Sequence, residues 1–428
     1  MRMPHFPMPS WRSDIKYDLA NITKILEALD NPHLKLPPVI HIAGTNGKGS
    51  SVAMLKSIFE AAGYKAHTYT SPHLLEFNER IVLCGEKISD SYLFEISERT
   101  RLACLDADIQ PTFFEGTTAV AFLAFAEVKA DILILETGLG GRLDATNVVP
   151  NPLITLITPV SYDHMDILGS TLPIIAAEKA GIIKAGVPCV ISCQVDEVYK
   201  VLLHRCEQLN SPAFCYDYDY GLKKTDTGFL YMSNNSTHQF LKPSLRGDHQ
   251  LVNAAAVIAL IGLINQKFNI TNSDIEIGLQ NIQWPARIQK IAYEKYSQFA
   301  GKHVQIWVDG AHNSGGAQVL ASWIAENLQP PIYLILGMTK NRNIEEFCSH
   351  LKPLTSRGYG VRVLSEAMSY TGEVISQRAG NIGIEFYPVD SLEEAIKTIS
   401  DCSRGQAQAN IIITGSLFLA ADFLKLIA

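Results

Sequence analysis

Gly44-Thr45-Asn46-Gly47-Lys48-Gly49-Ser50, followed by Ser51, has the residue types of a polyphosphate cradle. Its glycines let backbone N–H groups close around an anion, and Lys48 supplies a compact cation for the β and γ phosphates. Ser50 or Ser51 can place a hydroxyl beside Mg²⁺. The string departs from the standard Walker pattern, with Ile42 where the first glycine would stand and Gly49 where its Ser/Thr would be. A β-branched run at 39–43 precedes it and an apolar-periodic stretch at 51–62 follows, so strand, glycine turn and helix together predict an ATP site.

Joining a carboxylate to an amine with ATP brings anions together, which calls for hard oxygen ligands, a divalent metal and fixed positive groups. Glu136 closes an apolar run at 131–136, just before Thr137-Gly138-Leu139-Gly140-Gly141-Arg142, where α/β folds place ligands. His164 follows another apolar run, 153–158; by itself a loop histidine is more often a surface or structural residue. Lys179, in Glu178-Lys179-Ala180-Gly181, reads by itself as a solvated helix lysine.

The order of these motifs carries a resemblance. GTNGKGS, then Tyr69-Thr70-Ser71-Pro72-His73-Leu74, Asn78-Glu79-Arg80-Ile81, Leu245 to Asn253, Trp284-Pro285-Ala286-Arg287, Val308 to Asn313 and Gly415-Ser416-Leu417-Phe418 are similar to the folylpolyglutamate synthase and dihydrofolate synthase family of the Mur ligase superfamily. The resemblance implies that Ser71, Glu136 and His164 hold Mg²⁺ and that Lys179 is carbamylated, becoming carboxylate-like. It implies that Asn253 meets the adenine, that Arg287 reaches the phosphates, and that Asp309 and His312 serve ATP and the incoming glutamate. Arg80, Phe114, Asp144 and Ala145 are expected on the acceptor and Ser416 with His312 on substrate; Phe113 reads equally as a core aromatic. Ala286 stands where relatives often have glycine. The looser segment Gly337 to Asn343 receives no role.

The implied reaction converts the acceptor carboxylate to an acyl phosphate with ATP, and the α-amine of L-glutamate then displaces phosphate. Dihydropteroate would give dihydrofolate, and reduced folates would give the polyglutamate tail. Polyglutamylation alone is one alternative. A Mur-type peptidoglycan precursor ligase is another, although the roughly 40 residues before the loop leave no room for a separate UDP-binding domain. A nucleotide-hydrolysing switch would need a Walker B acid and base-specificity motifs, which are not visible.

To position these residues the chain must alternate strands and helices. Strands are expected at 39–43, 131–136, 153–158, 188–192, 303–308, 332–336, 361–364 and 411–414. Helices are expected at 14–30, 51–62, 171–181, 250–268 and 391–400, with a small antiparallel excursion within 214–241. That predicts an α/β protein: a P-loop ATPase domain over 1–287, mostly parallel with a small antiparallel sheet, and a Rossmann-like α/β domain over 288–428. A net charge of −7 without a basic stripe argues against a nucleic-acid partner, and no apolar run suits a bilayer. The first eleven residues lack a signal-peptide pattern, and eight cysteines without CxxC spacing read as reduced thiols. A cytosolic monomer acting on small molecules is expected.

Overall fold

A computed structural model describes residues 18–234 and 236–428. The first eleven residues, and the opening of the helix expected at 14–30, lie outside the described residues; its described part is Ala20–Ala28, which buries Ile22, Ile25 and Leu26. Eight strands form the first sheet: β1 (Val39–Ala43), β2 (Ala66–Tyr69), β3 (Ile81–Leu83), β4 (Glu86–Lys87), β5 (Ile132–Glu136), β6 (Ile154–Ile157), β7 (Cys189–Ile191) and β8 (Ala213–Cys215). Their order is β4-β3-β2-β5-β1-β6-β7-β8. From β2 to β8 all neighbours are parallel, while β3 and β4 run antiparallel at one edge.

Every residue of β1 and β5 is buried, as a sheet covered on both faces requires. One cover is the helix Phe113–Glu127, apolar on nearly all sides, whose Phe122 and Phe125 share a core with Ile22, Tyr69 and Leu133. The other core joins Ala43 and Ile157 to Ile175 and Leu202. The antiparallel excursion is β9 (Tyr220–Lys224), β10 (Gly228–Ser233) and β11 (Ser236–Leu241).

A second sheet follows from β12 (Gln289–Lys290), β13 (Val304–Val308), β14 (Ile332–Leu336), β15 (Arg357–Gly360), β16 (Phe386–Pro388) and β17 (Ala409–Thr414). It is ordered β12-β13-β17-β14-β15-β16, with only β12 antiparallel. Its core includes Trp307, Trp323, Leu334 and Phe347.

The strand expected at 361–364 is corrected to β15, four residues earlier. Gly358 and Gly360 hide it from an apolar count, yet packing requires them. A Cβ on Gly358 would strike the Phe386 ring, and one on Gly360 would lie 2.6 Å from the Gly372 carbonyl oxygen.

The chain divides into two compact units. One holds the described residues up to Ser244 with Gln250–Gln283, the other Leu245–His249 with Trp284–Ala428. The division expected after Arg287 therefore falls before Trp284, and a five-residue segment joins the later unit. Packing explains both: Arg246 stacks over Trp307 at 5.4 Å, and Gly310 N–H donates to Ala286 O at 2.9 Å. Among the described residues no helix is long and apolar enough to cross a membrane.

Candidate active site

In the first unit, neighbouring strands bring the candidate residues to one edge of the sheet. Ile42 of β1 pairs with Glu136 of β5, Tyr69 of β2 with Leu135, and Ala43 of β1 with Ile157 of β6. Four consecutive strands in space thus deliver Ser71, Glu136, the phosphate loop and the segment to His164 at their carboxyl ends, where parallel sheets bind ligands.

The loop is tied down from below. Thr45 and Asn46 N–H both donate to the Pro159 carbonyl, at 3.0 and 3.2 Å, and Thr45 exchanges two 3.1 Å hydrogen bonds with Ser161. Asn46 Nδ2 reaches Ser161 Oγ at 3.2 Å. Gly47, at φ 91°, caps the helix Lys48–Ala61, so Gly49, Ser50 and Ser51 occupy its first turn. Lys48 Nζ donates to the Gly44 and Thr45 carbonyls, at 3.1 and 3.3 Å, and lies 4.0 Å from Glu136 Oε1. Its ammonium is held within the loop it would serve.

Lys179 corrects the solvated-lysine expectation, being only 3% exposed, with Nζ donating to the same Gly44 carbonyl at 2.9 Å. Burial, and then the nearby Lys48 charge, push its pKa well below the lysine range. Its helix, Leu172–Lys179, continues as a 3₁₀ turn, Ala180–Ile182, which packs backbone to backbone on the loop after Glu136. A Cβ on Gly141 would lie 2.8 and 2.9 Å from the Glu178 and Lys179 carbonyl oxygens, and one on Gly181 would overlap Arg142. Arg142 N–H donates to Glu178 O at 2.7 Å, its guanidinium meets the Glu178 carboxylate at 2.8 Å, and Asn147 Nδ2 bridges Arg142 O and Gly181 O at 3.0 Å each.

A lysine with a lowered native pKa binds fewer protons folded than unfolded, so its contribution makes stability rise with pH up to the unfolded value near ~10.4. Lys179→Met should therefore melt higher than the parent at pH 7, by roughly 2–4 °C per kcal/mol of relieved desolvation. The gap should shrink as the pH approaches about 10. Scanning calorimetry at both pH values checks this; a gap independent of pH would refute it.

The 4% exposed Glu136 accepts from Ser71 N–H at 3.3 Å, which fixes the carboxylate beside that serine. His164 has a left-handed backbone (φ 48°) and heads the short helix Met165–Leu168. Its N–H donates to Asp163 Oδ1 at 2.8 Å, and its Nε2 lies 3.7 Å from that oxygen. Among the described residues no three His, Cys, Asp or Glu side chains gather as a metal cage. The donor chemistry nevertheless fits Mg²⁺, which takes one or two carboxylates and leaves other positions to phosphate oxygens and water. The buried Ser51 and Thr137 hydroxyls, flanking the loop and Glu136, have no protein partner.

The residues assigned to the acceptor form two groups. Arg80 is 7% exposed, donates from Nε to His73 Nδ1 at 2.9 Å, and stacks over Phe77 and Phe113 at 5.6 and 5.4 Å. Phe114 packs near Tyr69, and a Cβ on Gly138 would strike its ring. Asp144 is turned inward. Its oxygens accept from Leu139 N–H (2.8 Å), Thr146 N–H (3.0 Å) and Thr146 Oγ1 (2.5 Å), and burial pushes its carboxyl pKa up. It shapes the loop from Gly138 onward and caps the 3₁₀ turn begun by the buried Ala145. Because Thr146 gives its proton to Asp144, its oxygen accepts from His41 Nε2 at 2.9 Å; burial pushes His41 down to about 3, so it stays neutral.

In the second unit, Arg287, Asp309, His312 and Ser416 cluster about the ends of β13 and β17. Asp309 is buried and accepts from Ile288 N–H and Ala311 N–H, both at 2.8 Å. Arg287 Nη1 donates to Ala286 O at 2.9 Å, His312 Nδ1 meets Gly310 O at 2.9 Å, and Ser416 caps the helix Leu417–Leu426. Ala286 has φ 58° and is fully buried. Left-handed strain costs about 1–2 kcal/mol; glycine would relieve it but lose a buried methyl (~0.8 kcal/mol) and raise unfolded-chain entropy by ~0.4–1 kcal/mol. Ala286→Gly should thus stay within about 1 kcal/mol of the parent, whereas Ala286→Val should lose on the order of 3 kcal/mol. Urea unfolding measures both, and equal stabilities for the two variants would contradict the strain argument.

Asn253 is also placed, in the first unit: its carboxamide lies against Gly47 and bonds Gln250, which in turn bonds Ser50. Sequence reasoning passed over Gln250, although its three-residue spacing from Asn253 in one helix was a visible signal. It also passed over Thr158, Ser161 and Thr146, which have no motif of their own.

Residues 42–261 match the Mur ligase middle domain, and residues 289–426 match the dihydrofolate synthetase C-terminal domain. The chain is 32% identical to the dihydrofolate synthase/folylpolyglutamate synthase of Bacillus subtilis, over 96% of this chain and 95% of that protein. Among solved structures it resembles E. coli FolC in complex with DHPP and ADP, with a TM-score of 0.85 and 25% identity over 98% of this chain and 95% of the other. It also resembles the bifunctional folylpolyglutamate synthase/dihydrofolate synthase of Yersinia pestis complexed with AMPPNP and Mn ion, with a TM-score of 0.84 and 26% identity over 96% and 94% of the two chains.

Proposed function

The chain belongs to the dihydrofolate synthase/folylpolyglutamate synthase family of Mur ligases, and we propose that it uses ATP to add L-glutamate both to dihydropteroate and to reduced folates. The observation that carries this reading is the buried Glu136, which accepts from Ser71 N–H and lies 4.0 Å from the Lys48 ammonium at the carboxyl ends of three adjacent strands. Bifunctionality is supported by the names of the Bacillus subtilis and Yersinia pestis proteins.

In this mechanism the loop N–H groups and the Lys48 ammonium bind the β and γ phosphates and draw charge from the bridging oxygen as the acceptor carboxylate attacks phosphorus. Glu136, Ser71 and His164 would hold Mg²⁺, which would supply further charge neutralisation. The acceptor lies against Arg80 and Phe114, with Asp144 and Ala145 setting the shape of that wall. Asn253 and Asp309 serve the nucleotide, Arg287 its phosphates, His312 both ATP and the glutamate, and Ser416 the substrate. The glutamate amine attacks the acyl phosphate, forming the amide and releasing phosphate.

Burial, and then the Lys48 charge, lower the Lys179 pKa and so favour the neutral amine that can take up CO₂; carbamylation would turn it into an anion near the loop. The eight cysteines are free thiols, with Cys104, Cys189, Cys206, Cys215 and Cys348 buried, which supports a reducing cytosolic setting. We take the chain to act on small molecules as a monomer.

Dihydropteroate and tetrahydrofolate offered separately with ATP, Mg²⁺ and radiolabelled glutamate should each yield labelled product. Product from tetrahydrofolate alone would reduce the activity to polyglutamylation. Steady ADP release with neither acceptor nor glutamate would overturn the ligase reading.

A further inference from the structure

We propose that Gln250 is a positioning residue for the nucleotide site, its carboxamide holding the Ser50 hydroxyl in the orientation that meets a phosphate or its cation. This inference rests on the phosphate-loop reading above and deepens it. Gln250, Asn253 and Ser50 are 1%, 2% and 3% exposed. Gln250 Nε2 donates to Ser50 Oγ at 3.3 Å, while its Oε1 accepts from Asn253 Nδ2 at 3.0 Å. Three positions apart in the helix Asp248–Ile264, Gln250 and Asn253 share a face. Asn253 Oδ1 lies against Gly47, 2.6 Å from where a Cβ on that glycine would stand. The relay therefore runs from the cap of the loop's helix, through two amides, to the third residue of that helix.

An amide offers donors at one end and an acceptor at the other, so each hydrogen bond determines the direction of the next. Because Gln250 gives a proton to Ser50 Oγ, the serine keeps its own O–H and one lone pair for a ligand. A carboxylate at position 250 would take the Ser50 proton instead and set a negative charge beside the incoming polyphosphate. Simple packing would need no polar group here, since a buried amide is costly unless both ends are bonded.

The test is calorimetric titration with ADP and Mg²⁺, alongside the unfolding midpoint of the nucleotide-free protein. It uses Gln250→Glu, which keeps the shape and reverses the hydrogen bond, and Gln250→Met, which keeps the bulk alone, each with and without Ser50→Ala. Each Gln250 variant should weaken ADP binding roughly tenfold or more while the parent serine is present, as expected for a hydrogen bond serving a charged ligand. With Ser50→Ala already in place, Gln250→Met should weaken it by less than about twofold further, because the two residues act as one unit. Additive losses, or an unchanged affinity in Gln250→Met, overturn the inference. So does an unchanged affinity in Ser50→Ala, which leaves the nucleotide reading intact if the parent binds ADP; a parent that does not bind ADP overturns both.

Discussion

Lys48→Ala should lower the rate of ATP-dependent ligation by on the order of 10³-fold, the loss found when one preorganised donor to developing charge is removed. Its stability should change little. The side chain is 16% exposed and donates to two loop carbonyls, bonds worth ~1 kcal/mol each in net terms. Against that loss, removing the Lys48 charge makes it easier for the buried Lys179 to hold a proton. Single-turnover kinetics with saturating acceptor and glutamate, together with a melting curve, separate the two quantities. A rate within tenfold of the parent would remove Lys48 from the chemistry. Arginine is not expected to rescue, because its planar fork cannot replace a compact ammonium within the loop.

Gly44→Ala should unfold more easily by about 2–4 kcal/mol and lose ADP binding. The Gly44 backbone has φ 151°, and an added methyl would overlap Thr158 Oγ1 and lie 2.9 Å from the Thr158 carbonyl oxygen. Both hydrogen bonds to Gly44 O, from Lys48 and Lys179, depend on that backbone position. Adding Thr158→Ala should recover only part of the stability, since the carbonyl clash and the backbone strain remain. Urea denaturation of the single and double variants, with ADP titration, tests this; full recovery in the double variant would assign the whole effect to one side-chain collision.

These effects fall on residues that could be found from sequence, and the reason is positional. A short apolar strand followed at once by glycine, glutamate or histidine places that residue at a sheet edge, as happened at Gly44, Glu136 and, after a short loop, His164. The direction in which a side chain turns was less legible. Asp144 and Asp309 are carboxylates at plausible ligand positions, yet both accept backbone N–H groups and hold turns together. Lys179 read as a surface lysine because sequence periodicity carries no information about the loop that covers it. β15 was displaced in the reading by its two glycines, and Leu245–His249 pack with residues far away in the chain, which no local pattern reports.

The contact of Gly141 with the Glu178 and Lys179 carbonyls, and of Gly181 with Arg142, has a mechanical side. With no side chains between the two backbones, nothing at that joint can flex to absorb a displacement. A shift of the main chain at Lys179, such as an adduct on its amine could cause, must pass undamped to the segment leaving Glu136. The acid and the lysine are thereby geared together, and substitutions that insert bulk at either glycine should disturb both at once.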